Sequence, residues 1–474
     1  MHGLRWIGTA RLFAQLVTWS LTIVTVRLLS PSDYGLVATS GLFTVLATFL
    51  MDGGLSVVLV SRRDLSPRMQ GAAMMVVLLA SLVLAGAIAA AAPFGAHLFN
   101  NEALTNVLRV AALQLPLAAL SVVPTTLLSK GLQFKALALA QAGSSVLQGI
   151  TMLALAWLGA GYWSLIIGTL VGSAARASML WLGLKHRPSP NFDFATLGRV
   201  WRSGIQMVGQ RLVYFSAQDF DTFMLGRLGG SAVLGSYSLA KTLSHSPLDQ
   251  LAGIVNQVSL PAFAAKGGDD QGQYQALLLL ISTVATLVFP LFWLGGALSQ
   301  AALPLLFGDR WAPMIVPFMA FTFMLPFRSL FALLDSAVVG TGRVSTTFSN
   351  MVTWAVIMMP LLFLSSHFGA NWTAASWCVG FPAVFIISMW RIARAFGVHL
   401  RELLRPIAAP LVASLTSALV VQLVIMQTRA HMPLIAQLLI GATIGLVCYG
   451  LLIRQFARPH FDRARGLAGR FLRI

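Results

Sequence analysis

The chain has 474 residues, 57% of them apolar and only 10% Asp, Glu, Lys or Arg, with a formal net charge of +18. Soluble domains carry roughly a quarter charged residues, so this composition excludes a soluble enzyme, a DNA-binding protein and a disordered scaffold. At about 20 residues per span, fourteen spans would take about 280 residues, which predicts an all-α polytopic membrane protein with little chain left for loops.

In chain order the apolar runs predict spans at 6–29, 35–60, 70–92, 104–128, 136–158, 162–184, 204–226, 232–260, 273–298, 313–339, 346–367, 372–392, 406–427 and 433–454. Gly, Pro and polar residues mark the connections, as at Ser30-Pro31-Ser32-Asp33 and Lys266-Gly267-Gly268-Asp269. The first run carries Arg11 and Arg27 and lacks a small-residue cleavage site, so it reads as a span and not as a cleavable signal. Cys378 and Cys448 both lie in apolar runs, which leaves no disulfide framework and no metal cluster.

With the N-terminus inside, 22 Lys and Arg residues fall in inside segments, and only Arg227, Arg310 and Arg429 fall outside. Positive residues accumulate on the cytoplasmic side of membrane proteins, so both termini are expected in the cytoplasm. The same bias explains most of the net charge, as topology and attraction to anionic lipid. The Arg-rich tail reads as an orientation anchor or as a site for a specific partner.

The chain also reads as duplicated. At an offset of 200, Arg11-Leu12 matches Arg211-Leu212, Arg27-Leu28 matches Arg227-Leu228, Gly35 matches Gly235 and Gly53 matches Gly253. Spans 4 and 10 each follow a Leu-Phe pair, and each carries two prolines, Pro116 and Pro124, then Pro317 and Pro326. Six spans per half give parallel repeats about an axis along the membrane normal, with a substrate path between the lobes. The expected organisation is an N-lobe at 1–203, a C-lobe at 204–392, and 393–474 holding spans 13 and 14 with the basic tail.

A charge within hydrocarbon costs about 3 kcal/mol or more, so intramembrane ionisable residues are the informative ones. They are Arg11, Arg27, Arg109, Arg176, Arg211, Lys241 and Arg328, with Asp52, Asp219, Asp221, Asp249 and Asp335. Arg27 can snorkel to the outer interface and reads as structural; Arg11 can snorkel or line a cavity. In span 8, Lys241, His245 and Asp249 are spaced i, i+4, i+8 and stack on one helical face. That stripe must face protein or a wet cavity. Either Lys241 contacts a substrate phosphate while His245 and Asp249 take part in proton coupling, or a Lys–Asp pair only locks two helices. Span 7 carries Arg211, Tyr214, Gln218, Asp221 and Thr222 within one broad face, and Arg328 sits near mid-membrane in span 10 on the face of Asp335. Arg109 and Arg176 are anchors or parts of a cationic cavity.

The pairs Gly168/Gly172 and Gly441/Gly445 form GxxxG motifs that read as span-packing sites. Trp6, Tyr34, Tyr162, Trp163, Trp311 and Trp372, near span ends, read as interfacial anchors. No GxxxxGK[ST] loop, HExxH motif or long outer loop is present, so neither an ATPase, a cofactor, a metal site nor a catalytic centre is expected.

Several segments carry a family likeness: Val26-Arg27-Leu28-Leu29-Ser30-Pro31-Ser32-Asp33-Tyr34-Gly35, Met51-Asp52-Gly53-Gly54-Leu55, Asp221-Thr222-Phe223-Met224-Leu225-Gly226-Arg227-Leu228-Gly229, Leu234-Gly235-Ser236-Tyr237-Ser238-Leu239-Ala240 and Pro261-Ala262-Phe263. Over roughly residues 5–400 the chain resembles Wzx-type polysaccharide flippases, especially WzxC-like oligosaccharide exporters, of the multidrug/oligosaccharidyl-lipid/polysaccharide superfamily. The resemblance implies two six-helix lobes that alternate between inward- and outward-open states in the bacterial inner membrane. It implies a substrate of undecaprenyl-pyrophosphate-linked glycan, moved to the periplasmic leaflet at the expense of an ion gradient. It implies membrane lipids, a polysaccharide polymerase and export machinery as partners, and no nucleic acid. On this reading the substrate-binding candidates are Arg11, Arg211, Lys241, Arg328, Arg109 and Arg176, and the ion-coupling candidates are His245, Asp249 and Asp221. The alternatives are a drug or metabolite cation antiporter of the same superfamily, which would show more acidic than basic residues facing the cavity, and a non-transporting scaffold or glycan-assembly enzyme, whose buried charges would be paired and dispensable.

Overall fold

The computed structural model describes residues 2–52, 66–184, 186, 188–189, 212, 214–264, 270–340, 344–429 and 431–456; within these, side chains of 2–14, 52, 248–264, 270–271, 273, 276, 336–337, 339–340, 344–345 and 456 lie outside the description. The described chain is helical: α1 His2–Leu28, α2 Pro31–Asp52, α3 Pro67–Leu98, α4 Ala103–Ala111, α5 Gln114–Lys130, α6 Phe134–Trp157 and α7 Tyr162–Gly183. A further helix, α8, covers 214–228. Then come α9 Gly230–Ala264, α10 Asp270–Phe307, α11 Ile315–Gly340, α12 Val344–Ser366, α13 Ala370–Ala395, α14 Leu400–Thr428 and α15 Leu434–Phe456. Eleven spans among the described residues are long and apolar enough to cross a membrane. Large apolar side chains also stand exposed, Val83 and Val379 at 71% each, which a lipid environment accommodates and water does not. The chain is therefore an all-helical polytopic membrane protein.

Helix ends follow local chemistry. Ser66 caps α3 by accepting from Met69 N at 3.3 Å, with Pro67 in the first turn, where its missing N–H is no loss. The span expected at 104–128 is present as one apolar crossing, Ala103–Lys130, built from two helices, α4 and α5, that meet at Ala112 and Leu113. Pro116 explains the break, because its ring collides with the carbonyl four residues upstream. Two other prolines leave helices continuous but free a carbonyl that must find a donor within hydrocarbon. Pro124 frees Leu120 O, which accepts from Trp181 Nε1 at 2.9 Å. Pro290 frees Thr286 O, which accepts from the Tyr449 hydroxyl at 2.7 Å. Each such bond ties two spans together at a proline.

The chain divides into two compact units, Met1–Gly235 and Ser236–Ile474. In the first, α6 packs against α1 and α7, and a core forms around Leu36, Phe99, Leu104, Leu108 and Ile166. A Cβ at Gly168 or Gly172 would strike Met152 and Gln148 of α6, so that motif packs spans within the chain. In the second, α10 packs against α11, α14 and α15 around Ile281, Phe289, Leu325, Leu330, Phe385 and Met389. Gly441 and Gly445 of α15 admit Leu298 and Leu294 of α10 and Val421 of α14, so spans 13 and 14 are built onto span 9. One assigned anchor is corrected. Trp311 is fully buried, because the 3-10 turn Asp309–Met314 folds it back against α10 and α11. Trp372, by contrast, is largely exposed.

Candidate functional site

The second unit brings together three of the ionisable residues singled out from the sequence. Lys241 stands on α9 about 16 Å from its start, and Arg328 on α11 about 20 Å from its start, at about 1.5 Å per residue. Both side chains are thus held deep within helices long enough to span a bilayer. His245, one turn beyond Lys241, joins the two helices: Arg328 Nη1 lies 3.1 Å from His245 Nε2.

The hydrogen bonds fix the imidazole's protonation pattern. His245 Nδ1 lies 2.7 Å from the backbone carbonyl of Lys241. A carbonyl only accepts, so Nδ1 carries the hydrogen and donates. The guanidinium of Arg328 only donates, so Nε2 must offer its lone pair. His245 is therefore neutral in this arrangement, and a proton on Nε2 is incompatible with the Arg328 contact. Ser244 Oγ, 3.3 Å from Nδ1, donates to the same carbonyl at 2.9 Å.

Aromatic faces complete the site. Lys241 Nζ lies 6.0 Å from the ring centre of Trp377 on α13, and Arg328 Cζ lies 5.4 Å from that of Trp354 on α12. Phe321 packs edge-on against His245 and Tyr237, and Trp377 Nε1 donates to the Tyr237 hydroxyl at 3.3 Å. Lys241 is only 9% exposed and Arg328 half-buried. A ring quadrupole attracts a cation by roughly 0.5–2 kcal/mol. Such contacts are broad and tolerant of displacement, unlike a bidentate carboxylate pair.

The other predicted residues fall elsewhere. Arg109 ends α4 and Arg176 lies in α7, both exposed in the first unit. Asp221 is fully buried in α8, where its Oδ1 accepts from Thr222 N at 2.7 Å and from Thr222 Oγ1 at 3.2 Å. Arg211 lies outside the described residues. Arg11 and Asp249 lie in α1 and α9, with side chains outside the description. Sequence reasoning missed Trp354, Trp377 and Tyr237. Their signal was available: all three lie inside apolar runs, and Tyr237 sits four residues before Lys241 on the same helical face.

Residues 24–316 match the model of a family described as polysaccharide biosynthesis protein. Among curated proteins, the chain is 26% identical to the succinoglycan biosynthesis transport protein ExoT of Rhizobium meliloti (strain 1021), over 94% of this chain and 93% of ExoT. It is 24% identical to the lipopolysaccharide biosynthesis protein WzxC of Escherichia coli (strain K12), over 82% of this chain and 79% of WzxC. Among solved structures, the lipid II flippase MurJ in an inward closed conformation superposes with a TM-score of 0.74 at 15% identity, covering 95% of this chain and 99% of MurJ. An inward-facing multidrug resistance MATE family transporter of the MOP superfamily gives 0.58 at 17% identity, covering 82% and 98%. These two likenesses establish the fold.

Proposed function

Given that the chain belongs to this family of polysaccharide biosynthesis proteins, we propose that it is a flippase for undecaprenyl-pyrophosphate-linked oligosaccharide. It carries that lipid from the cytoplasmic to the periplasmic leaflet of the bacterial inner membrane by alternating access, driven by an ion gradient. Both termini face the cytoplasm. An N-lobe at 1–203 and a C-lobe at 204–392 form the moving halves, and 393–474 is an appendage. A polysaccharide polymerase and export machinery take the product onward.

One observation carries this reading: two cations, Lys241 and Arg328, are held well inside two long helices against aromatic faces and a neutral imidazole. A pyrophosphate crossing a bilayer needs charge compensation along its path, and guanidinium and ammonium groups supply it. The names of ExoT and WzxC, which cite succinoglycan transport and lipopolysaccharide biosynthesis, support a glycan substrate. A cation antiporter would gain nothing from two positive groups in its path.

The geometry also suggests how ion and substrate are linked. When Arg328 turns Nη1 to a phosphate oxygen, it leaves His245 Nε2. The freed nitrogen then becomes a proton acceptor, and a protonated His245 adds a third positive group beside the anion. Anion binding and proton uptake at His245 therefore favour each other, and linkage makes the effect reciprocal; a proton that drives outward export must bind in alternation with the anion, so this linkage tunes head-group affinity and is not itself the driving step. Arg11, Arg211, Arg109 and Arg176 contribute further contacts to the head group and acidic sugars, and Asp249 and Asp221 assist the coupling. The test is glycan export by Arg328→Ala and Lys241→Ala. Each variant inserts normally but loses export, and full export by both would overturn the assignment.

A further inference from the structure

At the end of the membrane where α1 finishes, α2 and α9 begin side by side and cross at two glycines. A Cβ on Gly35 would run into the backbone carbonyl of Ser231. A Cβ on Gly235 would run into the backbone carbonyl of Pro31 and come within 2.8 Å of Gly35 N. These are two pairs of positions 200 apart, the offset at which the duplicated segments match. Each glycine meets the carbonyl four residues upstream of the other. A contact in which i meets j and the equivalent j meets i is the signature of a two-fold axis, here passing between α2 and α9.

Neighbouring residues dock the same segment. Asn101 Nδ2 donates to Ser231 Oγ at 3.1 Å. Phe99 packs edge-on against Phe223 at 5.6 Å between ring centres, and a Cβ on Gly226 would come within 2.9 Å of the Phe99 ring. The turn from α8 to α9 is thereby seated on the ends of α2 and α3. Small residues let helix backbones touch in membranes. Backbones in direct contact leave no passage between the two helices at that level. No large side chain is interleaved between the two glycines themselves, so at the crossing only the adjoining Phe99–Phe223 ring contact and the Asn101–Ser231 hydrogen bond have to part with them.

We propose that the Gly35–Gly235 crossing is the gate that seals the transport path at the outer face, closing backbone to backbone and parting each time the protein opens outward. This rests on the flippase reading and its orientation. The gate can be tested by a readout that needs no substrate. Ser238 lies three residues beyond Gly235, on the same face and one turn deeper. With Cys378 and Cys448 replaced by Ala, a single Ser238→Cys is exposed to a membrane-impermeant maleimide added from the outer side. Gly35→Ala and Gly235→Ala, which forbid the closed crossing, raise labelling several-fold over the glycine background. Unchanged labelling in both variants overturns the gate.

A second measurement covers the case in which the alanine variants fail to insert. The pair Asn101→Cys/Ser231→Cys adds no bulk at the crossing. Its disulfide, formed with a mild oxidant, stops glycan export, and reduction restores it. Export that continues through the oxidised protein also overturns the gate. Failure of the head-group assignment is read separately: full export by both Arg328→Ala and Lys241→Ala, with raised labelling in Gly35→Ala, would discard that assignment and keep the gate.

Discussion

Two polar sites, one in each unit, hold charge within the membrane protein in opposite ways. At the start of α2, Asp33 is saturated by fixed donors. Its Oδ2 accepts from Ser30 N at 2.9 Å and from the Ser30 hydroxyl, and its Oδ1 accepts from Tyr162 N at 3.1 Å. This carboxylate pins the α1–α2 turn to the start of α7 and has little capacity to spare. In the second unit, Lys241 and Arg328 rest against tryptophan faces, and Arg328 shares one nitrogen of a neutral histidine. Backbone donors cannot move away, so Asp33 is structural. A π face and an imidazole lone pair are weaker partners for a cation than an anionic oxygen, so a phosphate can take over these particular contacts.

The contrast can be broken most severely at Arg328. Arg328→Ala should abolish glycan export, measured as surface polysaccharide in a complemented deletion strain, while the melting temperature of the purified protein stays near wild type. Asp33→Ala should do the reverse. It removes a charged acceptor from three donors, lowering stability by about 2 kcal/mol, and export should fall only as far as the amount of inserted protein falls. A collapse of stability in Arg328→Ala, or its persistence in Asp33→Ala, would erase the distinction.

His245 sharpens the comparison in the pH dimension. Wild-type affinity for a pyrophosphate head group should rise along a falling pH series, because protonating Nε2 releases Arg328 toward the anion. His245→Gln keeps an acceptor for Arg328 that does not titrate. Its binding, followed by isothermal calorimetry across the same series, should be flat.

The smallest effect is expected at a second saturated carboxylate. Glu402 accepts from the Tyr274 hydroxyl at 2.8 Å and from His399 N at 3.3 Å, capping α14. Burial, and then the Glu402 bond, push the Tyr274 hydroxyl up from 10.0 to about 12. The folded protein therefore holds this proton where the unfolded chain has released it, so the bond's contribution is full below about pH 10 and fades toward about pH 12. Tyr274→Phe should lack that alkaline decline, and near neutrality its melting temperature should differ only slightly from wild type.

Much of this architecture is legible in the sequence because hydrocarbon imposes a strict rule. A span must be apolar and must satisfy its backbone internally, so apolar runs translate directly into helices. The few ionisable residues inside those runs stand out for the same reason. The i, i+4 relation of Lys241 and His245 is set by helical geometry alone, and it holds. The interruption of the fourth span was also available, since Pro116 acts locally on the carbonyl of Ala112.

What sequence periodicity cannot supply is the identity of neighbours on other helices. Arg328 lies 83 residues from His245, and nothing in either apolar run announces that they meet. Trp354 and Trp377 look like ordinary apolar residues until α12 and α13 bring their faces to the two cations. Gly35 and Gly235 appear in the sequence as equivalent positions of a duplication, but their contact comes from the crossing of two helices. Local chemistry, acting over one helical turn, determined the spans and singled out the buried charges. The tertiary structure decided which of them share a site, because lateral packing is set by shape complementarity between residues far apart in the chain.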